Sequence, residues 1–261
     1  MTSGVRLSRD GHVATVTLDN PGKLNAITLK MWDELAGAVS ELSADDTLRC
    51  IVIRGAGSEA FAAGADIAEF AQVRDNIEQG KVYHRRYVYG ALKSIADCRH
   101  PTVAMIRGAC AGGGLEIACQ CDLRISGNSG RFGVPINRLG FAIAYDELAS
   151  LLPLVGKAVV LEILLEGRML SADEAYAKGL LTRVVADESL ESEVDATARR
   201  IAEGAPLVAR WHKQYVRRLM PPAIPLSESE LDDNFAYFGT EDYRIGYRAF
   251  LEKKKPGFVG R

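Results

Sequence analysis

The chain has 261 residues, a mass of 28.3 kDa, 48% hydrophobic and 25% charged residues, and a net charge of −2. That apolar share excludes wholesale disorder, and the length suits one large domain or a domain with an appendage. The balanced charge argues against nucleic acid as a partner, because gripping phosphates needs a basic surplus.

In chain order, Val5–Leu7 and Val13–Leu18 alternate apolar and polar around Asp10-Gly11, the pattern of a β-hairpin. Asn20-Pro21-Gly22 ends the second strand. Thr28 then caps a helix running to about Leu42, with Trp32, Leu35, Val39 and Leu42 on one stripe. The short apolar run Cys50–Ile53 reads as a parallel strand buried on both faces. A helix over Lys81–Asp97 follows, then a strand over Thr102–Ile106, introduced by Pro101. The glycine cluster Gly108–Gly114 leads into the apolar run after Leu115, and Asp122–Ser126 is another strand. This alternation indicates an α/β fold with parallel pairing and right-handed crossovers.

Ser171-Ala-Asp-Glu174 is a capping box, Gly179 is placed to stop its helix, and Leu181–Val185 is a strand. From about Ser189 the pattern is helical only, with Pro221-Pro222 between two stretches and Lys253-Lys254-Lys255 in the tail. The expected division is an α/β core over residues 1–195 and a helical part over 196–261. No internal repeat is visible. No segment reaches the roughly 18 apolar residues of a membrane span, and Met1–Asp10 lacks a signal-peptide pattern. A cytoplasmic protein with no membrane partner is expected. Cys50, Cys98, Cys110, Cys119 and Cys121 read as reduced, packed thiols, and no second Cys/His pair offers metal spacing. His12, His84, His100 and His212 are scattered and read as surface or capping residues.

Glycine is in excess, 25 residues of 261, against a usual share of about 7%. Three small-residue segments let the backbone approach something closely: Pro21–Ala26, Phe61–Ile67 and Gly108–Glu116. The last two precede helical patterns, and the N–H groups of a first helical turn have no internal partners. Two such groups aimed at one point would form an oxyanion hole. By itself, Gly112–Gly114 reads first as a tight strand-to-helix turn. It fits neither GxGxxG nor a phosphate-gripping loop. Glu116 sharpens the functional reading. It enters a run that should be buried, and burial raises a carboxyl's proton affinity toward the working range of a general acid or base.

These stretches, with Cys121-Asp122, Arg131-Phe-Gly-Val-Pro135, Gly179-Leu180 and Ala249-Phe-Leu-Glu-Lys253, resemble the crotonase superfamily, the enoyl-CoA hydratase/isomerase family, over nearly the whole chain. The resemblance implies a spiral of repeated ββα turns with a C-terminal helical region that builds a homotrimer or a dimer of trimers. It implies acyl-CoA substrates, an enolate intermediate, and no metal or redox cofactor. The hole carries over to the backbone of Ala65 and Gly113. CoA would lie along Lys23, Leu24, Ala26, Ala63, Asp66 and Ile67, with Phe250 and Lys253 reaching it from a neighbouring subunit. Glu116 matches the first catalytic glutamate of the hydratases. The second would follow Pro135, where this chain has Ile136, and the glycine-rich loop beyond is replaced by Leu139–Leu148.

Three readings compete. A hydratase-type lyase would draw its second acid from elsewhere, with Asp146 the candidate beside a helix-capping role. A double-bond isomerase would use Glu116 alone. A non-catalytic acyl-CoA-binding protein is the third. Tyr83, Tyr87 and Tyr89 are candidates for the acyl pocket, or equally for ordinary packing.

Overall fold

The computed structural model describes residues 2–220, 227–233 and 235–257. The expected break at Pro221-Pro222 lies outside them. The N-terminal hairpin is formed by β1 (Gly4–Asp10) and β2 (Val13–Asp19), with Gly11 turning at φ 56°. Helix α1 (Leu29–Ala44) starts where the Thr28 hydroxyl accepts from the Met31 N–H. Three successive passes then each give one strand to each of two sheets. These are β3 (Cys50–Gly55) with β4 (Ala60–Ala62), β5 (Thr102–Ile106) with β6 (Ala109–Ala111), and β7 (Leu123–Gly127) with β8 (Arg131–Gly133). The main sheet has the order β1-β2-β3-β5-β7-β10 and the smaller one β4-β6-β8-β9. Beyond the hairpin, the main sheet is parallel throughout.

Between these passes lie a 3-10 turn (Ile67–Glu69), α2 (Phe70–Val73), α3 (Ile77–Val82), a π-helical turn (Tyr83–Val88), α4 (Tyr89–Asp97) and α5 (Gly113–Gln120). The helix expected from Lys81 therefore begins earlier, at Asn76, whose side chain accepts from the Gln79 N–H. Helix α6 (Tyr145–Glu166) leads to β9 (Leu170–Ser171) and α7 (Ala172–Ala177), whose capping box pairs Ser171 with Glu174 in both directions. Strand β10 (Arg183–Val185) closes the main sheet.

Two expectations change. By length and composition α6 could cross a membrane, with 22 residues and a mean hydropathy of 2.1 over its most apolar 18. Gly156, at φ 74°, breaks it into two short pieces just after Pro153, and Leu151, Val160 and Ile163 pack into the core. The boundary at residue 195 falls inside α8 (Leu190–Glu203), whose Leu190, Val194 and Ala198 cover Cys50, Val52, Val103 and Ile125 of the sheet. The helices that leave the sheet are α9 (Pro206–Leu219), α10 (Glu228–Asp233) and α11 (Glu241–Leu251).

Helix α11 returns to the core. Its Tyr243 hydroxyl donates to the Arg74 carbonyl at 2.7 Å, and Tyr247 bonds Asp75 at 3.0 Å. The contact is close because Gly140 and Gly246 lack side chains. A Cβ on Gly246 would sit 2.1 Å from the Leu139 carbonyl oxygen. Phe70, Phe235, Phe238, Tyr243 and Tyr247 form a separate aromatic cluster there.

Candidate active site

Where the two glycine-rich strand ends meet, backbone packs on backbone. A Cβ on Gly64 (φ 103°) would lie 3.2 Å from the Ala111 carbonyl oxygen and 3.9 Å from Gly112 Cα. The approach places two N–H groups on one cavity. Ile27 bridges Ala65 in parallel fashion, donating to Gly64 O at 2.7 Å and accepting from Asp66 N at 2.9 Å. In that pattern the flanking residues make the bonds, so Ala65's own N–H points away from Ile27. Gly113 is the first residue of α5, so its N–H has no partner within the helix. Among the described residues neither N–H meets an acceptor, and both residues line a cavity of about 370 Å³. Such a pair can stabilise a carbonyl oxygen that gains charge.

Glu116 sits one turn into α5 and lines the same cavity. Helical side chains lean toward the N-terminus, which turns its carboxyl toward the Gly113 end. Burial, and then the charge of Glu147, hold Glu116 well above the ordinary value of 4.5, against the pull of Arg74. Glu116 is thus the carboxyl that holds its proton more tightly. Folding must keep that proton, so Glu116's contribution to stability is full below 4.5 and is lost as pH rises through its folded value. We expect Glu116→Gln to remove this loss. The variant should lose less stability than wild type between pH 4.5 and pH 8, and so melt higher than wild type at pH 8. Equal melting curves at pH 8 would contradict it.

The second carboxyl in the cavity is Glu147, not Asp146. Ala144 is the N-cap of α6, and its N–H donates to Glu147 Oε2 at 3.2 Å. Glu147 Oε1 lies 2.5 Å from His84 Nδ1. Donor chemistry fixes the imidazole tautomer. Arg74 Nη2 can only donate, and it does so to the Tyr237 hydroxyl at 3.1 Å. That hydroxyl's proton is left for His84 Nε2, 3.3 Å away, so Nδ1–H donates to Glu147. Burial, and to a lesser degree Arg74, hold His84 below 6.5, against the pull of Glu147. Burial alone would raise Glu147. His84, the Ala144 N–H and Arg74 together outweigh it and leave Glu147 below 4.5. One cavity therefore holds two carboxyls pushed in opposite directions, the signature of an acid and a base with separate roles.

Asp146 is exposed at the start of α6 and does not line this cavity. It borders a separate small cavity with Arg85 and Tyr89. The reason is helical phase: four residues back from buried Leu151 lies Glu147. Ile136 does line the cavity, at the position where the resemblance implies a second glutamate. Tyr83 also lines it, and its hydroxyl accepts from Trp32 Nε1 at 3.0 Å, whereas Tyr87 packs against the core and Tyr89 borders the other cavity. His84 and His100 are buried, contrary to the surface reading.

Of the positions tied to CoA, Ala63 and Ile67 line the cavity. Leu24 adjoins it by accepting from the Ala63 N–H at 3.0 Å. Ala26 closes the loop by donating to Lys23 O at 2.9 Å. Lys23 pairs with Asp66 at 2.7 Å, and Asp66 also caps the following 3-10 turn. Phe250 and Lys254 line the cavity of their own chain, while Lys253 does not. The bonds from Tyr243 and Tyr247 to Arg74 and Asp75 hold α11 against its own core. Among the described residues no three His, Cys, Asp or Glu side chains gather as metal ligands.

Residues 8–261 match the family described as enoyl-CoA hydratase/isomerase. The chain belongs to that family. A probable enoyl-CoA hydratase of Mycobacterium bovis is 34% identical over 260 residues, with 98% of each chain covered. A crystal structure of an enoyl-CoA hydratase/carnithine racemase from Magnetospirillum magneticum is 49% identical, with a TM-score of 0.82 over 98% of this chain and 96% of that one. A methylmalonyl-CoA decarboxylase complexed with 2S-carboxypropyl-CoA is 30% identical, with a TM-score of 0.88 over 98% of each chain. As a member of the enoyl-CoA hydratase/isomerase family, the protein is an enzyme with the crotonase-type α/β fold.

Proposed function

We propose that the protein is a hydratase-type lyase that adds water to a 2-enoyl-CoA. The observation that carries this reading is the pair of oppositely tuned carboxyls, Glu116 and Glu147, beside two unpartnered N–H groups. The thioester oxygen would accept from Ala65 and Gly113. Ionised Glu147, oriented by His84, takes a proton from water while the oxygen bonds to C3. The C2–C3 π electrons move toward the thioester, whose oxygen gains charge in the hole. Protonated Glu116 then gives its proton to C2 and the enolate collapses. One proton passes from Glu147 back to Glu116 before the next turnover. The reaction balances with water alone and calls for no other cofactor.

CoA would follow Lys23, Leu24, Ala26, Ala63, Asp66 and Ile67 to the Phe250–Lys254 segment. The exposed apolar residues of α9, Leu207, Trp211, Tyr215 and Leu219 among them, support assembly into a trimer or a dimer of trimers. A monomeric mass by light scattering would contradict that. The five unbridged, buried cysteines support work in a reducing compartment such as the cytoplasm.

The isomerase reading keeps one observation in its favour, the apolar Ile136 on the cavity wall. Retention of both carboxyls and both N–H groups argues against a non-catalytic binder. The test is crotonyl-CoA. Its conjugated thioester absorbance should fall, with a bell-shaped pH dependence of kcat/KM. The acid limb reflects ionisation of Glu147 below its ordinary range. The alkaline limb reflects loss of the Glu116 proton above its ordinary range. Conjugation appearing from a 3-enoyl-CoA, with no loss of crotonyl-CoA, would favour the isomerase.

A further inference from the structure

Arg74 is a charged side chain with nowhere to place most of its donors. It is 2% exposed and lines the cavity beside Glu116 and Glu147. Its guanidinium carbon lies 4.3 Å from the Phe70 ring centroid, 4.7 Å from Phe141 and 5.1 Å from Tyr83. Those ring faces hold the cation in position but accept none of its N–H groups in the plane of the fork. Among the described residues only Nη2 has an acceptor, the Tyr237 hydroxyl at 3.1 Å. Nε is buried without a partner, and Nη1 makes no hydrogen bond among the described residues. Among the described residues no carboxylate lies within ion-pair distance. Glu147 is held instead by His84 and the Ala144 N–H, one on each oxygen.

A buried guanidinium that lacks a carboxylate is destabilising unless something arrives to complete it. The planar fork matches a carboxylate with two parallel N–H···O bonds. We propose that Arg74 selects acyl-CoA thioesters whose acyl chain carries a free carboxylate, and that this carboxylate docks on Arg74 in the cavity. The inference rests on the acyl-CoA reading above and narrows its substrate class. Phe70, Phe141 and Tyr83 form the walls of the carboxylate subsite. The thioester end remains at Ala65 and Gly113.

Binding of saturated, unreactive thioesters tests this without relying on turnover. Succinyl-, glutaryl- and adipyl-CoA are compared with butyryl-, pentanoyl- and hexanoyl-CoA by titration calorimetry on the full chain. At least one dicarboxylic member should bind ten-fold or more tightly than its methyl-ended counterpart. Arg74→Met should abolish that preference, and Arg74→Lys, which keeps the charge but loses the fork, should retain only part of it. If Arg74→Met does not fold, the wild-type preference and the Arg74→Lys reduction still decide the matter. Equal binding of the two series by wild type would overturn the carboxylate inference alone. Failure to bind either series would overturn the acyl-CoA reading with it. An undiminished preference in Arg74→Met would assign the selection to another residue.

Discussion

Glu147→Gln is expected to lower kcat on crotonyl-CoA by roughly 10²- to 10⁴-fold, the usual worth of a positioned acid or base. KM should change little, because the amide keeps the shape and still accepts from the Ala144 N–H. Asp146→Asn, one residue away, should stay within about two-fold of wild type. The contrast follows from helical phase. Glu147 lies on the buried stripe that continues through Leu151, and Asp146 faces outward. His84→Ala should show an intermediate loss with a shifted acid limb, since His84 touches Glu147 and no cavity-bound substrate is needed for that contact. Full activity in Glu147→Gln, or a large loss in Asp146→Asn, would return the second acid to Asp146.

Gly114→Ala should damage both stability and catalysis. Its Cβ would meet the Ala62 carbonyl oxygen at 2.3 Å and the Ala62 Cβ at 2.9 Å. Both obstacles belong to β4, so neither can swing aside as the tip of a flexible side chain could. Relief requires α5 to move off the strand, which carries the Gly113 N–H away from Ala65. The expected cost is about 1–3 kcal/mol or more, a melting temperature lower by several degrees, and a loss of kcat beyond that explained by unfolding. Gly37→Ala is the control. It lies on the exposed face of α1 with nothing within 4 Å of the added methyl, and it should stabilise slightly. Thermal melts and initial rates on the two variants, side by side, separate these outcomes. A Gly114→Ala protein as stable and active as Gly37→Ala would show that the close approach of α5 to β4 is not required.

The elements legible in the sequence are those with strong local signals. The Asp10-Gly11 hairpin, the Thr28 cap, the apolar runs of β3 and β5, and the Ser171–Glu174 box all form where the pattern indicates. The smaller sheet was not legible, because β4, β6 and β8 have three residues each and β9 has two. Strands that short show no alternation and are fixed only by pairing across the spiral. The start of α3 was obscured by Gly80, which looks like a break. Its purpose is packing, for a Cβ there would lie 2.0 Å from the Phe238 ring. The Asn76–Gln79 cap was the available signal.

The site divides in the same way. Ala65, Gly113 and Glu116 were readable because glycine spacing and an apolar helix start are local features. Arg74 and His84 were not. Each is a lone polar residue whose role depends on Tyr237, more than 150 positions away in the chain. Glu147 was missed by a single residue, for want of knowing which face of α6 the core would cover.

The most direct test of the central claim is to incubate the wild-type protein with crotonyl-CoA in ¹⁸O-labelled water and weigh the product. The proposed mechanism predicts a 3-hydroxyacyl-CoA that carries one labelled oxygen, formed by wild type and not by Glu116→Gln. Recovery of an enoyl-CoA with no labelled oxygen, whether unchanged or with its double bond moved, would contradict it.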